Sequence, residues 1–392
     1  MCTVRKLVLI MKVKITKHGY RQVLCGLGVL LLSACPPSTR PDAGLTELPD
    51  GGTPASRSDF LAAAGACALK DVSAFSGTAT QFASAPSQTT FEPAMRAWQW
   101  VEVMQFGPTA SSTTPGGLDF RDQVYSWPLI SRCAVDETLT AGGYANGAGS
   151  LLINRKGLAA AEYLLFSNPD EVTCGDTAGW AALTPTERAQ RKQAYAAAVA
   201  NDVKAQADAL VAAWTPFVNT LATAGPGNAT YPTVQGAMNR VSDAVFYLDA
   251  QMKDLKLAGP IGLRTCATPP CIDQLESQYA HVNTSNLKAN LSALRQLLEG
   301  CDDASFNGVG FDDLIDAQGA FSLSARLKER LVAAQVALDA LEEPDLSQSL
   351  VTDPASVRAV YDALKGVTDL LKSEFVTVLD VELPMGLEGD ND

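Results

Sequence analysis

Three stretches of this chain carry more chemistry than a plain scaffold needs. Arg96 to Pro108 (RAWQWVEVMQFGP) sets Arg96 and Glu102 among tryptophans. Asp122 to Leu129 (DQVYSWPL) contributes Asp122 and Trp127 and runs on to Cys133 and Asp136. Lys156 to Phe166 (KGLAAAEYLLF) holds Glu162 in an otherwise apolar run. Carboxylates such as Glu102 and Glu162 are hard oxygen donors, suited to iron or calcium better than to a soft metal. Histidine is scarce: the chain has only His18 and His281. A site of several imidazoles is therefore excluded, and with it most catalytic zinc centres. Neither GxSxG nor HExxH is present, which argues against the common hydrolase types. The plainer roles stand beside these. Glu162 could pair with Arg96 or Arg155 to hold the fold together, and Glu102 could sit on a solvated face. Asp122 and Asp136 could cap helices. Trp127-Pro128 reads as a packed corner and His281 as an exposed loop residue. Asp302, Asp303, Asp312 and Asp313 lack the spacing of an EF-hand and read as a solvated acidic loop.

The elements that must position these residues are helices. The chain has 392 residues, 47% of them hydrophobic and 19% charged, so it can bury a core. From Asp59 onward apolar residues recur at helical steps, with almost no strand-like alternation. Val234, Met238, Val241, Val245, Leu248, Met252 and Leu255 form one continuous seam. Thr184-Pro185-Thr186-Glu187 opens a long helix to about Ala224 as a capping box with proline in the first turn. Pro216 should kink that helix. Leu287 to Leu298 carries a stripe ended by Gly300. Leu323 to Leu341 carries another ended by Pro344, and Val357 to Val378 the last. The expected fold is all-α: two packed antiparallel helical bundles, over residues 59–227 and 228–392, split at Gly225-Pro226-Gly227. A weak echo between Trp98–Phe120 and Leu287–Asp312 favours duplication.

The N-terminal part reads as export machinery. Basic residues lead into an apolar run from Val23 to Leu32, too short to span a bilayer as a helix. Leu32-Ser33-Ala34-Cys35 resembles a bacterial lipobox, so residues 1–34 read as a lipoprotein signal peptide and Cys35 as the lipidation site. Residues 35–58, rich in Pro, Gly, Ser and Thr, read as a flexible tether. Proline at position 36 favours the outer membrane by resemblance to the bacterial sorting rule. The net charge of −13 argues against nucleic acid as a partner. Cys67, Cys133, Cys174, Cys266, Cys271 and Cys301 remain after export, and an even number suggests three disulfides. Cys266 and Cys271 are a plausible local pair; the other four are open. A zinc site from these thiols is the rival, disfavoured by the absence of CxxC spacing.

Together the three stretches resemble the imelysin family of exported bacterial proteins. The match runs on through Leu275, Glu276, Ser277 and Tyr279, the Leu287 helix, and Gly310 to Leu314. The resemblance implies two similar helical bundles with a functional cleft between them. Its ligand-binding residues would be Glu162, Glu102, Arg96, Asp122 and Trp127, with Glu162 and Glu102 as metal ligands. The family motif GxHxxE falls on Gly157, Ala159 and Glu162, so the histidine position is alanine. Peptidase activity was attached to the family through its founding member, and a peptidase needs a held, water-activating metal. Ala159 argues against catalysis here. Other members are linked with iron uptake, which needs binding rather than turnover. The expectation is a non-catalytic, outer-membrane-anchored binding lipoprotein, holding iron, another divalent cation, a metal complex or a small ligand. An outer-membrane transporter is a possible partner. The alternatives are a metal-dependent peptidase and a partner-binding envelope protein without a small ligand.

Overall fold

The computed structural model describes residues 54–301, 305–341, 345–384 and 387. The signal peptide, Cys35, the tether as far as Thr53, Asp302, Asp303 and Pro344 lie outside the described residues. Within them the fold is all-α, and no strand occurs. The helices are α1 (Arg57–Ser84), α2 (Gln88–Val103), α3 (Phe120–Val124), α4 (Arg132–Ala141), α5 (Gly157–Phe166), α6 (Thr177–Ala182) and α7 (Pro185–Ala222). They are followed by α8 (Val234–Val245), α9 (Asn283–Glu299), α10 (Phe311–Ala317), α11 (Phe321–Asp339), α12 (Leu346–Thr352), α13 (Pro354–Leu370) and α14 (Val376–Leu379). No helix among the described residues is long and apolar enough to cross a membrane.

Local chemistry explains most of the boundaries. Ser56 and Asp59 form a reciprocal capping box at α1, and Thr184 and Glu187 do the same at α7 with Pro185 in its first turn. Pro216 lies inside α7 without ending it. Gly300 closes α9 at φ 92°, where a side chain would be strained. α1 lies along α7 and α2, and α5 packs on α7. Farther along the chain, α11 packs on α13 and α9. α2 lies on α9, so residues far apart in sequence face one another there.

The seam from Val234 to Leu255 departs from expectation. α8 stops at Val245, and Leu248–Ala258 is a π-helical segment. Its i→i+5 hydrogen bonds widen each turn, so side chains drift out of α-helical register. Met238, Val241, Val245, Leu248 and Met252 are buried, but Leu255 turns out to 39% exposure. Lys253 and Lys256 turn inward instead and are buried.

All six cysteines of the folded part pair, as Cys67–Cys301, Cys133–Cys174 and Cys266–Cys271. The local pair is the one expected from sequence.

Candidate functional site

α5 carries the centre of the site. Gly157 starts it at φ 76° with its backbone against α3: a Cβ there would sit 2.5 Å from the Val124 carbonyl oxygen. Only glycine permits that approach. Ala159 and Glu162, three residues apart, share a helix face. Both line a cavity of about 420 Å³, with Trp127, Arg132, Tyr279 and Leu255 among its other walls. Glu162 is buried, and its Oε1 accepts three hydrogen bonds: from Ser277 Oγ at 2.8 Å and from the backbone amides of Tyr279 and Ala280 at 3.0 Å each. Its Oε2 is left to the cavity. Burial raises the Glu162 carboxyl above its ordinary value, and the three donors only partly oppose this. Neither expected arginine stands beside it. Arg155 binds Glu137 and Thr138, and Arg96 lies elsewhere.

Behind the cavity runs a buried ion network. Lys256 Nζ reaches Glu276 Oε1 at 2.8 Å and Glu102 Oε2 at 3.3 Å. It also donates to Gln99 Oε1 at 2.7 Å and Asn290 Oδ1 at 2.8 Å. Glu276 Oε1 further accepts from Gln99 Nε2 and the Tyr125 hydroxyl, and its Oε2 from Asn286 Nδ2. Arg121 donates to Glu102 Oε1 at 3.0 Å. Burial opposes the charge on Glu102, but Lys256 and Arg121 outweigh it and hold the carboxyl below its ordinary value. Tyr125, fully buried beside these carboxylates, has its hydroxyl pushed far up and stays a donor.

The expected residues therefore divide. Glu162 and Trp127 line the cavity. Glu102 does not; it is spent on Lys256 and Arg121. Asp122 is partly exposed and paired with Arg121 at 3.0 Å. Arg96 is exposed and lines separate cavities with Trp100. Asp136 does not cap a helix. It is buried and accepts from the Tyr163 hydroxyl and the Thr173 amide, both at 2.7 Å, pinning the loop at Cys174. Asp312 and Asp313 are not a solvated loop: Asp312 pairs with Lys328 at 2.6 Å, and Asp313 accepts from the Gly310 amide that starts α10. His281 is half exposed, as expected, and its Nδ1 lies 3.2 Å from Asp345. Glu276, Lys256 and Tyr125 had no expected role. Glu276 lay in the stretch that carried the family resemblance, and that was its only signal.

These residues do not fit a catalytic metal. Ala159 offers no lone pair, both Glu276 oxygens are taken, and Glu162 has one oxygen to give. Among the described residues no group of three or more His, Cys, Asp or Glu is placed to hold a metal ion.

The fold has solved counterparts. An imelysin-like protein from Psychrobacter arcticum superposes with a TM-score of 0.54 at 15% identity, over 84% of this chain and 94% of that one. A candidate iron-regulated protein A precursor from Parabacteroides distasonis superposes at 0.59 and 15% identity, over 83% and 97%. No curated protein matches the sequence significantly. The imelysin family model, which carries a peptidase designation, matches residues 61–373. With most of the chain matched, this protein belongs to the imelysin family.

Proposed function

We propose that the chain is a non-catalytic binding protein of the cell envelope, taking a small ligand or metal complex into the Glu162 cavity. One observation carries this reading. Glu162 anchors one oxygen on three donors and turns the other into a partly aromatic cavity beside Ala159. A single fixed acceptor with aromatic walls suits a ligand that arrives with its own donors, or a metal that arrives with most of its coordination filled. A bare ion would need more ligands than the cavity supplies. The lipobox at Cys35 supports anchoring to the outer membrane, facing the periplasm or the cell surface, and a transporter there is the fitting partner.

Calorimetric titration of the purified protein tests this, with ferric citrate as the complex and Zn²⁺ and Ca²⁺ as bare ions. Ferric citrate should bind, and Glu162→Gln should weaken it about tenfold or more through loss of a charge-assisted contact. Equal binding by the variant would refute the site. The same substitution should not unfold the protein, because glutamine keeps an acceptor for Ser277, Tyr279 and Ala280.

Ala159→His offers the converse test. It restores an imidazole one turn from Glu162, and Zn²⁺ affinity should rise about tenfold or more. Casein hydrolysis by the natural protein, abolished by Glu162→Gln, would instead establish the peptidase reading.

A further inference from the structure

A second cavity, of about 590 Å³, opens between α2, α1 and α9. Its polar lining is Asp71 and Lys70 from α1, Arg96 from α2 and Gln296 from α9, and Trp100 and Phe306 supply aromatic walls. Asp71 and Gln296 are each 6% exposed. Asp71 Oδ2 and Gln296 Oε1 have no hydrogen-bond partner. Both atoms are acceptors, and a buried acceptor without a donor is costly. The cations at this cavity do not fill the gap. Lys70 Nζ donates to the Cys301 carbonyl at 2.7 Å, and Arg96 is exposed with no ion pair or hydrogen bond among the described residues.

An ammonium group on a ligand supplies the missing donor with the right charge for a carboxylate. A simple amine would still face Lys70 and Arg96, two cations against one carboxylate. A carboxylate on the ligand answers the unpaired Arg96, and an apolar body fits between Trp100 and Phe306. We propose that this cavity binds a small zwitterion of amino-acid type with an aromatic or apolar side chain, its ammonium on Asp71 and Gln296 and its carboxylate on Arg96. Burial raises the Asp71 carboxyl to about 7, with Lys70 and Gln296 opposing. At neutral pH the empty site therefore holds a proton part of the time, and the ammonium displaces it. Binding releases a proton.

Calorimetry at pH 7 on the purified protein tests this with L-phenylalanine, 3-phenylpropionate (no amine) and phenethylamine (no carboxylate). Two buffers of different ionisation heat report the proton. L-phenylalanine should bind with proton release, and each truncated compound about tenfold or more weaker. Asp71→Asn should lose L-phenylalanine by a similar factor while melting no lower than the natural protein, since it removes a buried carboxyl. Arg96→Ala should weaken L-phenylalanine but not phenethylamine. Absence of L-phenylalanine binding up to about 10 mM, equal binding of 3-phenylpropionate, or an unchanged Asp71→Asn variant would overturn the proposal. So would loss of L-phenylalanine binding in Glu162→Gln, which would place the ligand in the first cavity.

Discussion

Lys256→Met should cost the fold about 3–5 kcal/mol, the range for breaking a buried ion pair from one side. Lys256 is 2% exposed and serves Glu102 and Glu276 together. Without it, two buried carboxylates share the charge of Arg121 alone, and Asn290 Oδ1 loses its donor. Glu102 would respond by taking up a proton. In the natural protein the Glu102 carboxyl is held below its ordinary value of 4.5. Its contribution is therefore present above that value and is lost as pH falls through the lower folded one. In the variant the sign reverses. A carboxyl raised above its unfolded value is most stabilising when protonated, so the deficit should narrow as pH falls from 7 toward 5. Urea unfolding at the two pH values measures this. Glu102→Gln added to Lys256→Met should recover part of the loss, because it removes one of the stranded charges. A Lys256→Met midpoint equal to that of the natural protein would show that the network holds nothing together.

The same lysine marks where sequence reading stops. Helical stripes are local, so the leucines of α9, the capping box of Thr184 and Glu187 and the stop at Gly300 could all be read from neighbours in the chain. The face shared by Ala159 and Glu162 was legible for the same reason, since three residues on a helix fix it. The ion network is not local. It joins Gln99 and Glu102 on α2, Arg121 on α3, Lys256 on the π-helical segment, the Glu276 loop and Asn290 on α9. No spacing along the chain announces that set. Lys256 in particular reads as a solvent-facing residue on an amphipathic α-helix, and only the wider π turn brings it inside. Arg96 misled in a different way. It stands six residues from Glu102, which puts the two about 120° apart around α2: Arg96 lines a separate cavity, while Glu102 is spent on Lys256 and Arg121. Asp71 gave no signal, since one carboxylate on a long helix is unremarkable until its surroundings are known.

The disulfides extend this contrast between near and far, and they yield the second large effect. Replacing Cys67 and Cys301 by alanine should cost about 5–6 kcal/mol by chain entropy, against about 4 for Cys133 and Cys174 and about 2 for Cys266 and Cys271. The ordering follows loop length, with sequence separations of 234, 41 and 5. A long closed loop removes more freedom from the unfolded chain than a short one. The Cys174 loop is also held by Asp136, which accepts from the amides of Thr173 and Cys174. Removing Cys133–Cys174 therefore leaves the native loop held, and the cost falls on the unfolded chain alone. Cys67–Cys301 has a further role in holding α1 to the end of α9, where the second cavity lies. Urea midpoints of the three double variants give the ranking. The Cys67 and Cys301 variant should also show a larger dependence on urea, because its unfolded chain is free to expand. Equal losses in all three would mean that packing around the sulfurs, rather than closure of the chain, sets their worth. The ranking matters for function as well. If the longest loop dominates, an oxidising compartment is a condition for a stable fold, which agrees with the export signal expected from the sequence.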